Sequence, residues 1–180
     1  MHISTVDQFD TIDYLAVGTA RQQFAYQALS AAHIFERLQI FHPLLVGTIP
    51  LDIAIDSSDL DIICQAQDLD FFQKQIAALF STEEMFRSCT TIVHNQPTIL
   101  ANFNIMGFEI ELFGQNVPVK EQNGYRHMIK EYEILTNRGQ EFREKVIALK
   151  AAGIKTEPAF AQLLNIKGDP YTGLLAYKDI

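Results

Sequence analysis

The sequence predicts an α+β fold, in which a mixed β-sheet is flanked by helices and followed by a C-terminal helical segment. The predicted elements run in the order helix, strand, strand, helix, strands, helices, without the strict βαβ alternation of a doubly wound sheet. No segment recurs with a period of about 20 to 50 residues, which sets solenoid folds aside. We expect residues 1–120 to form an α/β core with N-terminal helices, and residues 121–180 to form a helical segment packed on that core as one compact unit.

The first predicted element is an amphipathic helix of about five turns over residues 18–38. Thr19 and Gln22 have the spacing of a capping box, which favours a helix start at this point. Five apolar residues then recur at helical spacing: Phe24, Ala28, Ala32, Phe35 and Leu38.

Two short strands and a second helix are predicted next. The run HPLLVG, residues 42–47, is apolar and bounded by proline and glycine, which is typical of a buried strand. The run DLDIIC, residues 59–64, has the composition of a second strand. Residues 68–80 are predicted to form a helix with one apolar face: Leu69, Phe72, Ile76 and Leu79.

The middle of the chain predicts a β-rich stretch made of CTTIV, TILANFNI and FEIELF. The segments HNQP and MG between them are suitable hairpin turns. From residue 125 onward the pattern is helical, with Gly139 and Gly153 as plausible C-caps and Pro158 in the first turn of the last predicted helix.

Composition limits the classes of function. The chain has 180 residues, 48% of them apolar and 20% charged, which is the usual composition of a globular protein. Its net charge of −8 argues against binding to bulk DNA, because such binding neutralises phosphates with lysine and arginine. The N-terminus lacks the pattern of a signal peptide and no apolar run is long enough to cross a bilayer, so we expect a cytoplasmic protein without a membrane segment. The two cysteines lack CxxC spacing and predict neither a disulfide framework nor a zinc site.

The candidate chemistry begins at Asp59 and Asp61, which flank a single leucine. In a strand these two side chains share one face, about 7 Å apart along the backbone. Two ionised carboxylates beside a core repel each other and raise each other's pKa, and a divalent cation removes that penalty. Because all the ligands are hard oxygens, Mg²⁺ or Mn²⁺ is the predicted metal.

A third acid is expected from the segment GFEIELFG, where Glu109 and Glu111 alternate with apolar residues. Either glutamate could join the aspartates if this strand lies next to theirs. We favour Glu111, because it lies between two apolar residues deep in the run. The predicted catalytic and metal-binding set is therefore Asp59, Asp61 and Glu111.

Gly47 and Thr48, at the end of the first strand, are candidates for holding a phosphate, because glycine lets the backbone approach closely and the hydroxyl can bind phosphate oxygens. Ser58, directly before the aspartate pair, is placed in the same phosphate-binding set. Arg126 and His127 directly precede the apolar residues Met128 and Ile129, and one of them is expected to reach the cleft; the alternative is a surface arginine and a hydrogen-bonded core histidine.

The arrangement of an apolar residue, Gly-Thr, ten residues and Asp-Leu-Asp-Ile resembles the signature of the DNA polymerase beta-like nucleotidyltransferase superfamily. Thr48 stands where that signature usually has serine and retains the hydroxyl. The strings GTIPLDIAIDSSDLDIIC, FEIELFGQ, YRHMIKEYEIL and KTEPAFAQLL together resemble an uncharacterised bacterial family of unknown function within that superfamily, over nearly the whole chain. Asp52 departs from that pattern, where a small residue or glycine is expected.

The resemblance implies a nucleotidyltransferase-like fold and a metal-dependent transfer of a nucleoside monophosphate from an NTP to a small molecule, an RNA end or a protein. In such a fold Arg126 or His127 would contact the triphosphate or the acceptor. The resemblance covers catalytic and non-catalytic members alike. The alternatives are a non-catalytic module, such as an antitoxin-like subunit, that binds a nucleotide or a protein, and a phosphoester hydrolase that uses the same metal cluster.

Overall fold

This computed structural model describes residues 6–178. A mixed five-stranded sheet forms the centre of that part of the chain. The strands are β1 Leu44–Val46, β2 Leu60–Gln65, β3 Glu84–Val93, β4 Gln96–Ile105 and β5 Phe108–Gln115. Their order across the sheet is β1-β2-β5-β4-β3. Only β2 and β5 pair in parallel, and the other neighbours are antiparallel. The predicted α+β class with a mixed sheet is confirmed.

Helices cover both faces of this sheet. Those in the described residues are α1 Ala20–Ala31, α2 Ile34–Leu38, α3 Leu69–Phe80, α4 Asn123–Ala151, α5 Thr156–Leu164 and α6 Pro170–Ala176. Buried residues of α1, α2 and α3 share one apolar cluster with Leu60 and Ile62 of β2. Buried residues of α4, α5 and α6 share a second cluster with Ile63 of the same strand. Since neighbouring residues of a strand point to opposite faces, the C-terminal helices cover the face that also carries Asp61.

The predicted hairpins are confirmed. The β3–β4 loop consists of His94 and Asn95, and the β4–β5 loop consists of Met106 and Gly107. All four residues have positive φ, between 48° and 84°, which matches the tight two-residue turns that suit the twist of antiparallel strands. The turn at Met106 and Gly107 joins β4 to β5 and therefore sets the register of β5, the strand that carries Glu109 and Glu111.

The predicted five-turn helix over residues 18–38 is wrong. Its start is correct, because Gln22 Oε1 accepts a hydrogen bond from the Thr19 backbone N–H at 3.0 Å, as a capping box requires. The helix ends at Ala31, however, and His33 adopts a left-handed conformation with φ 51° before α2 begins. The apolar spacing continues across this break, so the pattern alone does not reveal it.

The C-terminal helices follow the prediction more closely. Gly139 interrupts α4 with φ 74° and ψ −167°, and Gly153 follows its end with φ 90°. Pro158 lies in the first turn of α5. The short helix α6, which starts at Pro170, was not predicted. The division of the chain at residue 120 stays a prediction.

No helix in the described part of the chain combines the length and hydropathy that a bilayer span needs.

Candidate functional site

The acidic residues are brought together by the parallel pairing of β2 with β5. In this register Asp61 lies directly opposite Glu111, and Asp59 lies two residues earlier, just before β2 begins. Directly paired residues point to the same face, so Asp61 and Glu111 both face the C-terminal helices. Asn102 of β4 is the next residue in this row, and its Nδ2 donates to Glu111 Oε2 at 3.4 Å.

A cavity of about 890 Å³ lies between this row and the C-terminal helices. Of the residues predicted from the sequence, those that line it are Gly47, Thr48, Ser58, Asp59, Asp61, Glu111 and His127. The structure does not bring Arg126 to the cavity. Its side chain is exposed and donates to Oδ1 of Asn123 at 3.2 Å, because it lies on the outer side of α4. Glu109 is also exposed, and its Oε1 accepts from Arg87 at 2.7 Å.

Gly47 is packed against the carboxylate of Asp61. Its φ is 83°, and a Cβ atom at this position would lie 2.2 Å from Asp61 Oδ2. Real Cβ atoms do not approach other atoms this closely, so the turn after β1 accommodates only glycine while Asp61 keeps its place. The sequence predicted that Gly47 lets the backbone approach a phosphate. In the structure, the missing side chain of Gly47 leaves space for the Asp61 carboxylate.

Gly47→Ala is therefore expected to displace the Asp61 carboxylate and to remove the Mg²⁺-dependent nucleotide binding that the sequence predicts, measured by calorimetry. The matched control is Gly107→Ala, since Gly107 has φ 84° but, apart from its two chain neighbours, none of the described residues lies within 4 Å of its Cβ position. Both variants lose about 1–3 kcal/mol of stability through the positive φ. Only Gly47→Ala should lose affinity for the nucleotide. Equal nucleotide affinities in the two variants would contradict this role of Gly47.

The loop that leads into β2 is held by polar contacts at the cavity wall. Thr48 Oγ1 donates to Ser58 Oγ at 3.3 Å, and Ser58 Oγ also accepts from the Ile55 backbone N–H at 2.9 Å. Arg21 of α1 donates to the carbonyl oxygens of Asp56 and Ser58, both at 3.1 Å. The two hydroxyls that the sequence marks as phosphate ligands thus lie side by side on a fixed loop.

Nearby positive charge compensates the three acids only in part, because Lys150 opposes the raised pKa values of Asp59 and Asp61 and Arg87 opposes that of Glu111, yet all three stay raised. Burial, followed by repulsion from Asp59 and Glu111, raises the pKa of Asp61 to about 8. Burial is also the main cause that raises the pKa values of Asp59 and Glu111. A bound divalent cation would stabilise the ionised forms of all three, and a donor set made only of carboxylate oxygens fits Mg²⁺ or Mn²⁺.

The C-terminal helices add charged residues that the sequence did not single out. Lys150 is buried, its Nζ donates to the Ile53 carbonyl oxygen at 2.8 Å, and burial lowers its pKa to about 8 although the nearby carboxylates oppose this. Glu131 and Glu157 also line the cavity. The i, i+4 spacing of His127 and Glu131 places both on one face of a predicted helix, so that pair could have been identified from the sequence. No local sequence pattern identifies Lys150 or Glu157 as a residue of the cavity.

Comparison with known proteins gives a family and a fold. A family model described as "Domain of unknown function (DUF4269)" matches residues 27–177. The search of curated proteins found no match.

Solved structures of a poly(U) polymerase and of the polymerase core of an RNA surveillance complex resemble this fold. The Cid1 poly(U) polymerase with Mg 3'-dATP bound aligns with a TM-score of 0.52 and 12% identity, over 97% of this chain and 54% of that chain. The polymerase core of TRAMP, an RNA surveillance complex, aligns with a TM-score of 0.51 and 12% identity, over 96% and 56%. A Cid1 structure with MgGTP bound aligns with a TM-score of 0.50 and 14% identity, over 70% and 40%. The fold is thus nucleotidyltransferase-like, and the chain spans about half the length of these proteins.

Proposed function

The chain belongs to the family described as domain of unknown function (DUF4269), and from that premise we propose that it is a metal-dependent nucleotidyltransferase of the DNA polymerase beta-like superfamily. It would transfer a nucleoside monophosphate from a nucleoside triphosphate to an acceptor. The observation that carries the proposal is the pairing of Asp61 with Glu111, with Asp59 beside them and the Gly47–Thr48 turn against Asp61.

Asp59, Asp61 and Glu111 would hold Mg²⁺ or Mn²⁺. When bound, the metal supplies charge neutralisation at the phosphates and alignment of the reacting oxygens. The hydroxyls of Thr48 and Ser58 would bind triphosphate oxygens, since they lie 3.3 Å apart on the cavity wall. The acceptor oxygen would attack the α-phosphorus, its proton would pass to one of the carboxylates, and pyrophosphate would leave.

The cavity supports a nucleotide as the substrate. Its volume of about 890 Å³ falls within the usual range of small-molecule sites. Lys150 and Lys155 are the lysines among the residues that line it, and His127 lines it from α4. Two structures of one of the structurally similar proteins, the Cid1 poly(U) polymerase, are described with Mg²⁺ nucleotides bound, which agrees with the proposed ligand.

We place the catalytic core in residues 1–120 and the acceptor-facing wall in residues 121–180. The acceptor, whether a small molecule, an RNA end or a protein, would be recognised by the shape and charge of that wall. The proposed place of action is the cytoplasm, without binding to membranes or bulk DNA, in keeping with the net charge of −8.

The test is to incubate the purified protein with Mg²⁺, labelled NTPs and a cell extract. Transfer of label to an extract component is the expected result. Tight Mg²⁺-dependent binding without transfer would instead support a non-catalytic, antitoxin-like module, and nucleotide breakdown without an acceptor would support phosphoester hydrolysis. Absence of any Mg²⁺-dependent NTP binding would refute the proposed function.

A further inference from the structure

A second group of metal-ligand side chains lies on the helical wall of the cavity. His127 and Glu131 are one helical turn apart on α4, and Glu157 lies in the first turn of α5. One ligand atom from each of the three lies within 4.8 Å of the other two. All three residues line the cavity, on the elements that face the sheet.

Two members of this group are buried without adequate polar compensation. His127 is 7% exposed, and its Nδ1 atom is buried without a hydrogen-bond partner in the described part of the chain. Glu131 is 3% exposed, and burial, followed by the charge of Glu157, raises its pKa well above the ordinary value. A buried nitrogen without a partner beside a buried carboxyl group indicates a missing ligand, because buried polar groups normally have partners.

We propose that His127, Glu131 and Glu157 form a second metal site, which binds a divalent transition-metal ion and favours Zn²⁺. One imidazole and two carboxylates suit Zn²⁺ better than Mg²⁺, which prefers oxygen ligands alone. A zinc ion about 2.0–2.2 Å from each ligand keeps any two ligand atoms within about 4.4 Å, so small side-chain rotations from the present arrangement complete the site.

This site differs from the site of Asp59, Asp61 and Glu111 in its ligands and in the elements that carry them, although Glu157 lies close enough to contribute to the raised pKa of Asp61. Three protein ligands leave a coordination position open toward the cavity, which a water molecule or a substrate group can take. The ion would also link α4 to α5 and so fix the wall that faces the acidic row. Lys150 interacts electrostatically with Glu131 and Glu157 as well as with Asp59 and Asp61, so it lies within reach of both groups. The inference does not depend on nucleotidyl transfer.

The experiment is a titration of metal-free protein with Zn²⁺, followed by calorimetry and thermal unfolding. The Cys89→Ser form is used throughout, because the exposed Cys89 thiol would also bind zinc. One tight Zn²⁺ per chain should bind and raise Tm, since a ligand specific for the folded state stabilises it. Glu157→Gln should weaken this binding at least about tenfold, because loss of supporting partners alone costs that much. His42→Asn, which changes an exposed histidine that does not line the cavity and keeps a residue that tolerates the positive φ, should leave it unchanged.

Asp61→Asn separates the two sites. This variant should keep the tight Zn²⁺ while it loses Mg²⁺-dependent NTP binding, so failure of either proposal is seen independently of the other. Unchanged Zn²⁺ affinity in Glu157→Gln, or loss of the tight Zn²⁺ in Asp61→Asn, would overturn the second site. The metal-free Tm of Glu157→Gln reports folding, and it should equal or exceed that of the parent because repulsion with Glu131 is removed.

Discussion

Asp61→Asn is expected to remove Mg²⁺-dependent NTP binding and to lower nucleotidyl transfer at least about 100-fold, the usual cost of losing one group that stabilises charge in a transition state. The amide has nearly the same shape as the carboxylate and fits against Gly47, but it brings no negative charge to the metal. Calorimetry with NTP and Mg²⁺, together with transfer of labelled nucleotide, measures the two effects.

The same variant should be more stable than the parent protein in EDTA, which separates a lost metal ligand from misfolding. The pKa of Asp61 is raised from 3.8 to about 8 in the folded state, so between these values the folded chain binds more protons than the unfolded chain. Stability of the metal-free parent therefore falls as pH rises through this window. The asparagine does not titrate, so Tm of Asp61→Asn should be higher near pH 8 and should depend less on pH. A lower Tm, or NTP binding equal to that of the parent, would contradict the assignment.

Strand alternation was sufficient to predict the side-chain directions of Asp61 and Glu111, because a side-chain period of two is local geometry. Asp59 lies just before β2 and lines the same cavity from the preceding loop, so alternation does not account for its position. The tight turns at residues 94–95 and 106–107 were also readable, since they lie between two strongly alternating runs. Local rules therefore gave most of the sheet and the composition of the acidic group.

The pairing of strands that lie far apart in the sequence could not be predicted from the sequence. That β2 lies parallel to β5, with Asp61 opposite Glu111, depends on a connection of more than 40 residues and on how the two helical layers pack. The break at His33 was missed because apolar spacing continues through it, while the left-handed φ of a non-glycine residue leaves no pattern. Lys150 and Glu157 reach the cavity only through the packing of α4 and α5, so sequence spacing could not connect them to Asp61.

Glu111→Gln is expected to have an effect close to that of Asp61→Asn, with loss of the Mg²⁺-dependent part of NTP affinity and at least about 100-fold slower transfer. Glu111 is half-buried, lines the cavity and pairs directly with Asp61. Its one side-chain hydrogen bond in the described residues, from Asn102 at 3.4 Å, is long and leaves it available to a metal. Calorimetry with Mg²⁺ and NTP, and the labelled transfer assay, provide the measurements.

Glu109→Gln is the matched control, because Glu109 lies on the same face of the same strand two residues earlier. Although its charge contributes to the raised pKa of Asp59, its carboxylate is exposed and already accepts from Arg87 at 2.7 Å and from Asn102 at 3.0 Å. Loss of such an exposed ion pair changes stability by no more than about 1 kcal/mol, and Mg²⁺-dependent NTP binding should persist. If Glu109→Gln abolished that binding while Glu111→Gln retained it, the third acid would be Glu109 and the row defined by the β2–β5 register would not be the metal site.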